Sequence, residues 1–149
     1  MNLEEFGEVL RLSVSPSIII SACGLLMLSM TNRFGRAIDR ARLLVRERAH
    51  AEGSALASIG RQMAILRQRT RLIRTSIFFA SLCILFTALE MLTLFVCATA
   101  GIDNGALAGL LNILSLASLC VAMVYFIKDI TRSLEAMEAD IDREEPGAE

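Results

Sequence analysis

The sequence predicts an all-α, polytopic membrane protein, with three transmembrane helices that extend into a cytoplasmic helical bundle. Three observations predict it. Apolar residues make up 54% of the 149-residue chain, and a mean hydropathy of +0.56 lies well outside the balance of a soluble domain of this size. Three apolar runs each come close to or exceed the roughly 20 residues that a helix needs to cross hydrocarbon. Charge is sorted into blocks of opposite sign: residues 31–74 carry eleven arginines against Asp39, Glu47 and Glu52, a balance of +8, and residues 128–149 carry a balance of −5. With one Tyr and no Trp, the aromatic belt that usually marks the interfaces is missing, so charge must set the boundaries.

Residues 1–15 form an outer-surface segment. Leu3, Phe6 and Leu10 fall on one side and Glu4, Glu5, Glu8 and Arg11 on the other, the pattern of a short amphipathic helix on a membrane surface. Ser15 followed by Pro16 reads as an N-cap and first helical residue, so the first transmembrane helix spans 16–34 with Arg33 snorkelling at its end. An acidic start, and no small-residue cleavage site before charge resumes, argue against a signal peptide.

Residues 35–74 form an arginine-rich cytoplasmic helical hairpin. Phe34, Ile38, Ala41 and Val45, then Leu56, Ile59, Met63, Leu66, Thr70 and Ile73, recur at close to 3.5 residues, the spacing of a coiled-coil seam. AHAEGS at 49–54 separates the arms, with Gly53 as stop and Ser54 as N-cap. The competing reading is a solvated, weakly ordered loop over 35–72. The second span, 75–101, holds a single ionisable group. An outer turn at 102–105, with Asn-Gly, leads into the third span, 106–127, which holds no charge. The seam spacing returns at Ile127, Ile130, Leu134, Met137 and Ile141 along an acidic helix, 128–143, before a disordered tail at 144–149. Three long helices result, about 16–48, 55–101 and 106–143, the middle one roughly 70 Å long.

Eleven arginines between spans one and two, against Arg11 alone before span one, orient the chain by the positive-inside rule: N-terminus outside, C-terminus cytoplasmic. The arginines then also face anionic headgroups. Nucleic acid is a poor partner for them, because no aromatic residue beyond Phe34 accompanies them and the segment is tethered to the bilayer at both ends. Chemistry for catalysis is missing too. Cys23, Cys83, Cys97 and Cys120 lie in spans without metal-ligand spacing, His50 sits in a charged loop tip, and no nucleophile-elbow, zincin or phosphate-loop motif occurs. The expectation is a non-enzyme without cofactor or metal.

Each span carries a small, polar face: Ser13, Ser17, Ser21 and Gly24 on the first; Ser76, Ala80, Cys83, Thr87, Glu90, Cys97 and Gly101 on the second; Gly105, Ala108, Asn112, Ser115 and Ala122 on the third. Such faces serve close helix packing, since lipid gives no hydrophobic drive between helices, or they line a water-filled pathway in a homo-oligomer. Glu90 falls about 16 Å from the Gly101 end of its span, near mid-bilayer, where a carboxylate must face protein or water. Glu90, Thr87, Ser21, Asn112 and Ser115 form the candidate intramembrane polar site. Counting equal depth makes Ser21 and Ser115 the expected partners of Glu90, either in a neutral interhelical hydrogen bond or in ion or proton handling.

The stretches PSIIISACGLLMLSMTNRFGRAIDRARLL (16–44), LRQRTRLIRTSI (66–77) and FIKDITRSL (126–134) resemble the bacterial integral-membrane family catalogued as domain-of-unknown-function 2721. The likeness covers roughly residues 10–135 and is most specific at Asn32, Arg33, Arg36, Asp39 and Arg40. It implies the topology and a bacterial inner membrane, and no mechanism. Arg36, Asp39 and Arg40 are three and four apart on one helix face, so the five residues are either an ion-pair cluster at the membrane exit or ordinary inside-positive charge. Two functions remain open. One is a homo-oligomeric, channel-like or ion-handling assembly built on Glu90. The other is a non-conducting scaffold or accessory subunit that docks a protein partner through its cytoplasmic helices.

Overall fold

The computed structural model describes the backbone of residues 3–101 and 105–144, and the side chains of residues 7, 14, 16–101 and 105–134. All of it is helical apart from one short connection. Helix α1 runs Leu3–Arg48, α2 Ser54–Ala100 and α3 Gly105–Glu144. No strand occurs among the described residues, and each helix contains a segment long and apolar enough to cross a membrane. Of the predicted outer turn at 102–105, residues 102–104 fall outside the described residues and Gly105 is already helical; the predicted tail at 144–149 lies outside them beyond Glu144, as do most of the side chains that would define the amphipathic face of residues 1–15.

One boundary differs from the sequence expectation. Helix α1 begins at Leu3 and carries Pro16 inside it, where the sequence pattern predicts a start at Pro16. Proline removes one backbone N–H from the ladder, whereas ending a helix and restarting it would free four carbonyls and four N–H groups. In a segment destined for an apolar medium the single loss is the smaller cost. The remaining ends follow local chemistry. Helix α1 closes with tight bonds from the amides of Ala49 to Arg46 O and His50 to Glu47 O, at 3.2 and 3.1 Å. Gly53 (φ 58°) lets the chain turn into α2, and Gly101 (φ 65°) ends that helix in the left-handed conformation that closes helices without strain.

Buried positions on α1 are Pro16, Cys23, Met30, Ala37 and Leu44, seven apart throughout. On α2 they are Ile73, Ser76, Ala80, Cys83, Thr87 and Glu90, and on α3 Ala108, Ser115, Ser118, Ala122 and Asp129. A seven-residue interval keeps one stripe of a helix turned toward its neighbours. It corrects the expected seam on α1 and α3: Val45 is 56% exposed, Ile127 55% and Leu134 49%, and the stripe through Ala37 and Leu44 is buried in their place. Both stripes on α1 are apolar, and the one through Ala37 and Leu44 is in phase with the buried Pro16, Cys23 and Met30 upstream, whereas the expected small face of Ser17, Ser21 and Gly24 is exposed.

The chain divides into two compact units, one formed by Met1–Ser29 and Ile77–Ala122, the other by Met30–Ser76 and Met123–Glu149. The first exposes large apolar side chains and buries small and polar ones. Leu25, Ile18, Phe78, Leu92 and Ile113 are each more than half exposed, while Cys23, Cys83, Thr87, Glu90, Ser115 and Ser118 are buried. Water would penalise that arrangement and lipid favours it, because small and hydroxylated residues let helices approach while large aliphatic chains meet acyl tails. The second unit buries Met30, Ala37, Leu44 and Ile73 together with Asp129, and carries every arginine except Arg11.

Candidate functional site

Glu90 is 7% exposed and its carboxylate faces α3, where Asn112 Nδ2 donates to Oε1 at 3.0 Å and to Oε2 at 3.2 Å. A carboxylate in the middle of an apolar segment is costly, and one neutral amide offsets only part of that cost. One turn earlier on α2, Thr87 Oγ1 lies 2.6 Å from Ser115 Oγ. Both hydroxyls reach the Cys83 carbonyl oxygen, Thr87 at 2.9 Å and Ser115 at 3.2 Å. Each hydroxyl has one hydrogen, so one donates to the carbonyl while the other donates to its neighbour, and the order reverses by rotation of two O–H bonds. The chain of polar atoms continues through the Cys83 thiol, 3.2 Å from Ser115 Oγ and 3.5 Å from Cys23 Sγ.

Of the five predicted intramembrane residues, four converge in two contacts, Glu90 with Asn112 and Thr87 with Ser115. Ser21 lies elsewhere. It is exposed, and its hydroxyl donates to the Ser17 carbonyl of its own helix at 3.0 Å, as serines in apolar helices commonly do. The expected bonds from Ser21 and Ser115 to Glu90 are not formed. Equal depth fixes a level along the helices but not the direction a side chain takes around its own. Cys23 and Cys83, without metal-ligand spacing in the sequence, are both fully buried and extend the polar chain. Ser118, buried on α3 with its hydroxyl on the Leu114 carbonyl at 2.8 Å, was not singled out.

The second unit holds a different cluster. Asp129 is fully buried, with Arg33 Nη1 donating to its Oδ2 at 3.4 Å and Arg69 Nε lying 3.5 Å from its Oδ1. Arg33 also lies over the Phe126 ring, 5.5 Å from its centroid. All three helices meet in this cluster. Among the predicted exit residues, Arg33 alone belongs to it. Asn32, Arg36, Asp39 and Arg40 are exposed, and Arg40 reaches Gln62 Oε1 at 3.5 Å. Sequence reasoning grouped Asp129 with the acidic block and missed it, although it falls seven residues after Ala122, at the next position of the buried stripe. Among the described residues, no three His, Cys, Asp or Glu side chains gather in metal-binding geometry.

The family described as "Protein of unknown function (DUF2721)" matches residues 13–139. No curated protein and no solved structure matches the chain.

Proposed function

We propose, for a chain that belongs to the DUF2721 family, an ion-handling role in a bacterial inner membrane, with Glu90 as the group that takes up a proton or a monovalent cation. The observation that carries this reading is the carboxylate itself, 7% exposed inside an apolar segment and met by one amide, that of Asn112. A purely structural contact at that depth is made more cheaply by a neutral side chain, as Thr87 and Ser115 make it one turn away. A carboxylate offers what a hydroxyl pair does not, a charge that a proton or cation can cancel. The Thr87–Ser115–Cys83 chain supplies hydroxyl and thiol groups whose hydrogens reorient without breaking the helices.

This is a transport reading and not a catalytic one, and it takes the chain as a homo-oligomer with its arginine-rich segment in the cytoplasm. The exposed Ser17, Ser21 and Gly24 on α1 offer the small surface along which helices of two copies approach in lipid. Reconstitution of the full chain in liposomes tests the reading. Wild type is expected to dissipate an imposed proton or sodium gradient, and Glu90→Gln to lose at least about tenfold of that rate while keeping the same native mass. No flux from wild type removes the reading.

The alternative, a non-conducting scaffold, is favoured by one observation. A groove of about 520 Å³ between α1 and α2 has Ala41, Met63, Ala64 and Leu66 in its walls and Arg48 and Arg67 among its lining residues. An amphipathic helix with carboxylates along its edges fits that pattern. Absence of flux from a correctly folded wild type would leave this reading standing.

A further inference from the structure

The Arg33–Asp129–Arg69 cluster carries more positive charge than its buried carboxylate needs. One arginine would neutralise Asp129; two leave a surplus of +1. The second arginine is held to the carboxylate by charge alone, since Arg69 Nε and Asp129 Oδ1 are both buried without a hydrogen-bond partner at their 3.5 Å separation. Both guanidinium side chains reach the surface, 32% exposed for Arg33 and 26% for Arg69, while Asp129 has no exposure at all. The carboxylate is thus the inner member of the cluster, and both arginine side chains extend from it to the surface. Phe126, its ring centroid 5.5 Å from Arg33 Cζ, adds a second contact that holds that side chain in place.

Two part-exposed guanidinium groups anchored on one carboxylate, with one unneutralised charge between them, suit a tetrahedral oxyanion, because planar N–H pairs bond phosphate oxygens two at a time. In sequence, Arg33 stands at the end of the first apolar run and Asp129 two residues past the third, where a helix leaves hydrocarbon for headgroups. We propose that Arg33 and Arg69, held by Asp129, bind a phosphate group, either that of an anionic phospholipid headgroup or free phosphate. The inference rests on the chain spanning a bilayer and is independent of ion handling at Glu90.

Native mass spectrometry of the full chain in neutral detergent tests it, with phosphatidylglycerol or phosphatidylcholine added and with inorganic phosphate as competitor. Wild type is expected to retain one phosphatidylglycerol in preference to phosphatidylcholine. Arg33→Gln with Arg69→Gln should weaken that retention by roughly fivefold for each arginine removed. Because the double variant strands a buried carboxylate, the triple variant that adds Asp129→Asn repeats the measurement on an uncharged cluster and should lose the preference equally. Displacement of the lipid by millimolar inorganic phosphate assigns the site to free phosphate, and resistance assigns it to the headgroup. Equal retention of the two lipids by wild type with no bound phosphate, or an undiminished preference in a triple variant whose circular dichroism is unchanged, overturns the proposal. Neither result bears on gradient dissipation by Glu90.

Discussion

Ser115 has one hydrogen and three neighbours within reach of it: Thr87 Oγ1 at 2.6 Å, the Cys83 carbonyl at 3.2 Å and the Cys83 thiol at 3.2 Å. Removing it leaves Thr87 still bonded to the Cys83 carbonyl, so Ser115→Ala should cost about 1 kcal/mol, within the range measured for side-chain bonds between membrane helices. Thr87→Ala should cost a similar amount, and the double variant less than the two together, since both lose the same contact. Unfolding titrations in mixed micelles read all three values. At this scale the sequence exposed the participants better than the pairs. Glu90 stands out as a charge inside an apolar run, and Asn112 as an amide inside another, but which polar residues meet depends on the rotation of each helix. Asp129 was hidden for a different reason, since its partners lie on other helices, 96 and 60 residues away, and a carboxylate beside Lys128 looks like one more solvated charge.

Among elements, the pairing of α1 with α2 has the most direct check. Cys23 and Cys83 approach to 3.5 Å between sulfurs in the first unit, and Ser76 donates to Met30 Sδ at 3.3 Å in the second. In a variant with Cys97 and Cys120 replaced by serine, a membrane-permeant azo oxidant such as diamide should convert the two thiols to an intrachain disulfide, the azo group taking up both hydrogens as a hydrazine. Mass spectrometry of the digest would show the joined peptides, and a link formed only between two copies, seen as a dimer on a non-reducing gel, would contradict this register. The two ends of α2 were legible because each lies at a residue with one conformational meaning, Gly53 before it and Gly101 after it, both in the left-handed region. The start of α1 was not, because Ser-Pro is the same signal whether a helix begins there or merely passes through. The seam shifted for a related reason. Phe34, Ile38 and Val45 are apolar at helical spacing, yet so are Ala37 and Leu44, and only the packing of the whole helix chooses between the two stripes.

For the whole molecule, the charge blocks predict a direction that the structure alone does not give. A His50→Cys variant in a background without the four native cysteines should resist an impermeant maleimide added to intact spheroplasts and react once the membrane is opened; labelling of intact spheroplasts would reverse the topology. The three membrane-length helices were legible in the sequence from composition, because the requirement that every backbone polar group be bonded within a bilayer leaves a long apolar run little choice but a helix. The small faces of spans two and three were legible as well, and they leave the first unit little hydrophobic matter in its interior. That interior of thiols, hydroxyls and alanines has a thermodynamic consequence. Pulling its helices apart within lipid exchanges one set of contacts for acyl chains and wets almost no aliphatic area, so the heat-capacity increment that bends the stability curve of a soluble protein should be small. Stability would then fall with temperature in nearly a straight line, with no cold limb, and composition of the surrounding lipid would govern it more than the solvent does.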